Sequence, residues 1–397
     1  MSAHRIARYD AVMLRGLRWV ALACLATRPA VADPITSRDY AIDFYDGVAI
    51  GNTAMVGMGG AGAAHVLGSA GTLTNPSAAA VRRTTDTDRW SWDYHLDFLT
   101  GRFSTDYDNN GATASKDSGA SLVTFGLAGR YGKWALATTA TIQTAPIAGS
   151  SPELTASAYR FKVALSRYFP SLDLAIGVGA QTVMFQILYE DETELFTIQG
   201  GGVIAGATWL PSYQNLRVGV AFEGEIHGGD VTTETCDPEN CQGYILPDHV
   251  ESPGRLIAGL AYRWAPTAWN QLVGGKFRDE QSITAAADVV VTGDSPEGYG
   301  IEAFGMQELQ RSGRKVVVSV RGGAESEVIP GRFRARAGSY WEPSRFDGVP
   351  GRLHGTFGAD LRVFEFRAWG PRRGRISVTA DIAARYRNLA LSVGLWN

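Results

Sequence analysis

Three glycines in VGMGGAGAAHVLG (residues 56–68), Gly57, Gly59 and Gly62, stand at the G-x-G-x-x-G spacing of dinucleotide-binding sites. That spacing lets a backbone approach a pyrophosphate at a helix N-terminus, and it needs a strand before the first glycine and an acidic residue about 20 positions on. Here the feeding segment, GVAIGNTAM, is broken by Gly51 and Asn52, and the acidic position falls to Asp86 within RRTTDTD. In a chain with forty-seven glycines the spacing carries little weight. Gly293-Asp294-Ser295 with His354 downstream could supply a hydrolase nucleophile and base. Yet Gly, Asp, Ser and Pro are what a turn needs, Asp294 and Glu297 read as loop solvation, and His354 falls in a predicted strand without an acid-partner motif. No catalytic residue and no cofactor is expected. Cys236 and Cys241, in TCDPENCQG, suit a small disulfide loop in an oxidising compartment. A zinc site would want more thiols or nearby histidines, and the chain has six histidines, so no metal is expected.

The N-terminus sets the compartment. Arg5, Arg8, Arg15 and Arg18 precede the short apolar run WVALACLA, and Ala30-Val31-Ala32 supplies an A-x-A cleavage site. That is the layout of a secretory signal peptide over residues 1–32. Cys24 lacks a good lipobox, so cleavage after Ala32 is favoured over lipid attachment. Removing residues 1–32 takes away five arginines and one aspartate and moves the formal charge from −3 to −7. An acidic exported chain without Lys/Arg clusters is a poor nucleic-acid binder.

No mature segment approaches the roughly 18 consecutive apolar residues of a membrane helix. Alternation is the dominant pattern instead. In WSWDYHLDFL, Trp90, Trp92, Tyr94, Leu96 and Phe98 oppose Asp93, His95 and Asp97. In YRFKVALSRYF, Tyr159, Phe161, Val163 and Leu165 oppose Arg160, Lys162 and Ser166. From Leu216 to His227, Leu216, Val218, Val220, Phe222 and Ile226 oppose Arg217, Glu223, Glu225 and His227. Successive side chains of a strand point to opposite faces, so one face is apolar and the other charged. Strands of about 10–13 residues are long for a sandwich and right for tilted membrane strands. Long connections (TDYDNNGATASKDSG, APIAGSSPELTA, 229–253) alternate with tight ones such as Tyr131-Gly132-Lys133. That is the rhythm of an outer-membrane barrel, long outside and short inside. APTAWNQLVGGKFRDE (265–280) is long where a short turn is due.

The expected fold is therefore all-β, an antiparallel outer-membrane barrel of about 14 strands. Even parity places YGIEAFGMQEL (299–309) in an extracellular insertion, and the last strand ends on Trp396 and Asn397 without a terminal Phe. The barrel is expected over 89–397, with Arg160, Lys162, Arg217 and Glu223 facing the lumen. Residues 33–88, rich in Gly and Ala, precede it as an N-terminal plug, because side chains alone cannot fill so wide a lumen. Glycines allow tight folding in that confined space.

GNTAMVGMGGAGAAHVLGSAGTLTNPSAAAVR resembles the N-terminal hatch of the FadL-type transporters of long-chain fatty acids and other hydrophobic compounds, with Asn75-Pro76-Ser77 where that family has Asn-Pro-Ala. FRARAGSYWEPSRFDGVPGRLHGTFGADLRV resembles the family's late hairpin, through Arg336, Gly338, Glu342, Pro343 and Gly358. The resemblance implies a fourteen-stranded barrel in the outer membrane of a Gram-negative bacterium, plugged by its N-terminus. It also implies a hydrophobic ligand held at the hatch, around Gly57, Gly59, Gly60, Gly62, Asn75 and Pro76, and released sideways into outer-membrane lipid. The alternative is a relative that serves protein export and binds a secreted protein through its loops. An open porin does not fit the plug.

Overall fold

The computed structural model describes residues 33–44, 51–82, 86, 88–101, 106, 108–111, 120–147, 150, 153–231, 233, 236–273, 277–368 and 370–396. The expected signal peptide lies outside them. In chain order the strands are β1 (Ala41–Asp43), β2 (Trp90–Gly101), β3 (Ala120–Tyr131), β4 (Trp134–Ile147), β5 (Leu154–Phe169), β6 (Leu174–Tyr189), β7 (Glu194–Trp209), β8 (Leu216–Glu223) and β9 (Ile226–His227). They continue as β10 (His249–Ser252), β11 (Arg255–Trp264), β12 (Ile283–Thr292), β13 (Gly298–Tyr299), β14 (Val317–Ile329), β15 (Phe333–Glu342), β16 (Arg352–Arg367), β17 (Pro371–Ala383) and β18 (Tyr386–Leu395). The short helices are α1 (Thr53–Gly57), α2 (Gly68–Gly71) and α3 (Ile301–Met306), with a 3-10 turn at Pro76–Ala80.

Fourteen strands close the barrel, each pairing antiparallel with its neighbours, and β18 meets β2 to complete it. The parity count holds: residues 299–309 contribute β13 and α3 rather than a barrel strand. Short turns set the periplasmic end and long loops the extracellular end. Trp90, Leu96, Phe98, Phe125, Phe161 and Leu165 are exposed on the outside, whereas Asp93, His95, Asp97, Lys162 and Arg217 are buried within. A soluble protein does not leave such a belt bare; this is a transmembrane barrel of outer-membrane type.

Two departures from strict alternation matter. Ile226 is buried rather than continuing the outward row of Val218, Val220 and Phe222. The reason is a break after Glu223: at Gly224 on one side and Pro253-Gly254 on the other, the β8–β11 hairpin bends away, and its tip becomes β9–β10. Leu395 is likewise buried, beside Trp396, where the chain leaves the last strand.

The tip joins a second, four-stranded sheet in the order β13-β1-β10-β9. Here β1 is parallel to both neighbours, with Ile42 opposite Val250 and Tyr299. The chain preceding the hatch is thus held among the extracellular loops, and residues 51–82 pack inside the barrel before β2 begins at its periplasmic end. Within the long segment noted above, residues 265–273 fold back there, burying Trp269 against Met58, Ala61 and Ala64 of the plug.

Candidate functional site in the barrel lumen

Carboxylates on the lumen faces of β2 and β12 grip the plug. Asp97 accepts from the Thr53 amide at 2.9 Å and from Asn52 Nδ2 at 3.1 Å. Asp93 accepts from the Ser69 amide at 2.9 Å, and Asp288 from the Gly62 and Ala63 amides at 2.8 and 2.9 Å. Asn52 caps α1 by accepting from the Ala54 and Met55 amides, a short side chain satisfying donors a helix start leaves free. Asn75 caps the 3-10 turn through Ser77 and donates to the Ala63 carbonyl at 2.9 Å. These aspartates answer unpaired backbone donors in a water-poor lumen, where leaving one unmet is costly.

The glycines work by contact distance. Gly59 has φ +63°, and a Cβ there would lie 2.5 Å from the Gly322 carbonyl and 2.6 Å from the Ser339 amide. Across the interface, a Cβ on Gly338 would sit 2.3 Å from the Gly59 nitrogen. Plug and wall therefore meet backbone to backbone. Gly57, Gly59, Gly60, Gly62, Asn75 and Pro76 all touch wall or plug, and none of them lines the larger cavity described next.

Beneath the plug lies a cavity of about 420 Å³, roofed by His65, Val66 and Leu67 and floored by Phe277, Arg373 and Trp396. Its wall is ionic. Arg336 binds Asp360 in bidentate fashion at 2.5 and 2.6 Å and Glu325 at 2.5 Å, and Arg375 reaches Asp360 at 2.7 Å. Arg217 differs from these arginines. It is fully buried, donates from Nε to Asn270 at 2.8 Å, lies 3.9 Å over the Trp269 ring, and its Nη1 has no hydrogen-bond partner among the described residues. Of the other lumen candidates, Lys162 pairs with Glu223 and donates to the Leu73 carbonyl at 3.0 Å. Arg160 lies 5.0 Å over the Phe44 ring.

The extracellular half of the lumen is apolar. Ile42 and Phe44 of the N-terminal segment pack with Leu154, Phe185, Ile187, Leu195, Phe196 and Ile198 of β5–β7 and with Tyr299 and Phe304. Cys236 and Cys241 form a disulfide in the loop covering this cluster. Beside it the wall is incomplete. The β7–β8 ladder runs only from Trp209↔Val218 to Ile204↔Glu223, although β7 extends to Glu194. Above that, a bridge between Gly200 and Gly228 and single bonds from Gly224 and Gly229 are what joins β7 to the bent hairpin.

His354 shows what sequence reasoning missed. Its Nδ1 lies 2.8 Å from the Asp381 carboxylate and its Nε2 2.8 Å from that of Glu342, with Tyr340 donating to Asp381 at 2.6 Å. The acids come from other strands, so no local motif could announce them. Ser295 is elsewhere, against Asp43 and Arg345, so no nucleophile–base pair forms.

A closed fourteen-stranded barrel with its own N-terminal chain inside defines the class: a plugged barrel of outer-membrane type. Within that class the chain is similar to the CymD monoaromatic hydrocarbon channel, at TM-score 0.54 and 12% identity, over 88% of this chain and 97% of that one. It is also similar to the toluene transporter TodX of Pseudomonas putida, at TM-score 0.50 and 12% identity, over 90% and 98% of the two chains. At such identities the likeness is one of fold. No family profile and no curated protein matches the sequence.

Proposed function

We propose that the protein carries a hydrophobic, fatty-acid-like solute across the outer-membrane surface and releases it sideways into lipid, past β7. The observation that carries this reading is the apolar cluster of β5–β7 lying directly against the stretch of β7 whose β8 side has no continuous ladder. An apolar solute gains most by staying in apolar surroundings, and the plug with its ionic wall blocks the straight path. That CymD and TodX are described as hydrocarbon channels supports the same class of cargo. The test is a reversible lock. Gln199 and Gly229 face each other where the Gly229 amide meets the Gln199 carbonyl at 3.4 Å, and opposed residues of this kind suit a disulfide. Oxidised Gln199→Cys/Gly229→Cys should lose uptake of radiolabelled toluene and oleate and regain it on reduction, with each single variant transporting normally. Uptake unchanged by the lock would exclude this exit.

The cavity under the plug favours a second resting place, for the acid group of an amphiphile. Arg217 offers it a guanidinium nitrogen, beside an aromatic ring, that has no hydrogen-bond partner among the described residues. A charged hydrogen bond contributes about 1.5–3 kcal/mol. Arg217→Met should therefore weaken oleate binding at least about tenfold and leave toluene binding unchanged. Equal loss of both would remove Arg217 from ligand contact.

A further inference from the structure

His227, His249 and Glu251 share one face of the β9–β10 tip. Glu251 stands opposite His227 in the antiparallel register, and His249 is two residues before Glu251 on the same strand. Side chains two apart on a strand project to the same side, so both imidazoles converge on one carboxylate. His249 Nε2 lies 2.9 Å and His227 Nδ1 3.6 Å from Glu251 Oε1, and one ligand atom from each residue falls within 4.8 Å of the other two. A tetrahedral ion with bonds near 2.0–2.1 Å spaces its ligands roughly 3.3 Å apart, so small side-chain rotations suffice.

The second nitrogen of each ring also meets a carboxylate. His227 Nε2 is 3.3 Å from Glu225, and His249 Nδ1 is 3.2 Å from Asp248. A neutral imidazole carries one N–H, so in each ring one nitrogen would aim a lone pair at a carboxylate. A cation between the inner nitrogens and Glu251 removes that conflict, and the outer carboxylates then take the N–H groups, as partners of metal-bound histidines do. Glu251 supplies an independent sign. It is 6% exposed, and its Oε2 has no hydrogen-bond partner among the described residues.

We propose that His227, His249 and Glu251 bind a divalent transition-metal ion of the zinc class, with a fourth position left to water. Two imidazoles and a carboxylate suit zinc and its neighbours; calcium and magnesium prefer all-oxygen sites. The sequence conceals the site because His227 and His249 belong to different strands, twenty-two positions apart. The ion would clip β9 to β10, and β10 in turn holds β1 through Ala41↔His249 and Asp43↔Glu251. Metal would thereby steady the N-terminal segment and the hairpin beside the stretch of β7 where the β8 ladder is interrupted.

The test uses the full-length, tag-free barrel in detergent, stripped with a chelator and titrated with zinc chloride, and with cobalt chloride for its absorption spectrum. The expected result is about one ion per chain, with cobalt giving the intense visible bands of a four-coordinate site. His227→Gln removes an exposed ligand, and Glu251→Gln keeps the shape of the buried one. Each should weaken binding at least about tenfold, while the barrel's heat-modifiable migration on gels stays that of the parent. The proposal is overturned if the parent binds no ion at millimolar zinc, or if both folded variants bind as tightly as the parent.

Discussion

Towards the extracellular end, the lumen is filled by Phe185, Phe196, Phe304, Leu154 and Ile187, packed on Ile42 and Phe44. Towards the periplasmic end, the corresponding space is walled by Arg336, Glu325, Asp360 and Arg375 and encloses the main cavity. The plug divides the two. Filling one half with apolar groups suits a solute that arrives with little polarity and must be taken from water. Lining the other with paired charges does not suit its onward passage, since displacing or desolvating such charges is expensive. The contrast favours the sideways path proposed above over a straight one, and the interrupted β7–β8 ladder sits in the apolar half.

The largest expected effect comes from the ionic half. Arg336 is buried between Glu325 and Asp360, and Arg336→Met would leave both carboxylates short of a partner. The cost should be about 3–5 kcal/mol, read as a lowered urea midpoint for barrel unfolding in detergent. An unchanged midpoint would mean water enters this half freely, and the contrast with the apolar half would lose its force. A smaller effect falls on the plug itself. Asp288→Ala removes the one carboxylate oxygen that accepts from both the Gly62 and Ala63 amides, weakening the plug by about 1.5–3 kcal/mol in all. Brief ion-conducting openings should appear in planar bilayers, with barrel stability nearly the same. A silent bilayer would show that backbone packing around Gly59 seals the lumen without this anchor.

Fold and lumen polarity were legible because a strand's two-residue period exposes its faces directly, and Trp90 to Phe98 or Tyr159 to Leu165 show it without interruption. What was not legible depends on contacts between distant segments. Ile226 follows the alternation of Val218 to Phe222 on paper, but the bend at Gly224 turns it inward against Gly200 and Gly202. The glycines of the plug carried no sign that their partners would be Gly322, Ser339 and Gly338, since close approach is a property of two backbones. Arg217 and Lys162 looked alike, each a cation among apolar neighbours, and only the fold gives Glu223 to Lys162 and, among the described residues, no carboxylate to Arg217. Segment 265–280 was conspicuous by length, and its burial of Trp269 explains that length.

The smallest effect tests whether the apolar half is held shut by its polar rim. Glu302 of α3 is buried beside Asp106, Asp108 and Asn110, with Asn110 donating to it at 2.5 Å. Burial is the main cause that pushes its carboxyl up to about 7 from 4.5; the Asn110 bond opposes this and Asp106 adds to it. Burial and the charges of Glu302 and Asp106 also raise Asp108. A carboxyl whose folded pKa is raised contributes its stability in full below the unfolded value and loses it as pH climbs through the folded value. The rim should therefore be tightest below about pH 4.5 and loosen through about pH 7. Amide exchange in Ile301–Met306, corrected for its intrinsic pH dependence, should be several-fold faster at pH 8 than at pH 6 (roughly one unit either side of the raised value). Glu302→Gln, which still accepts from Asn110, should flatten that profile. If exchange follows only its intrinsic dependence in the parent, ionisation at the rim is met by water or counter-ions, and the apolar cluster alone keeps the extracellular half closed.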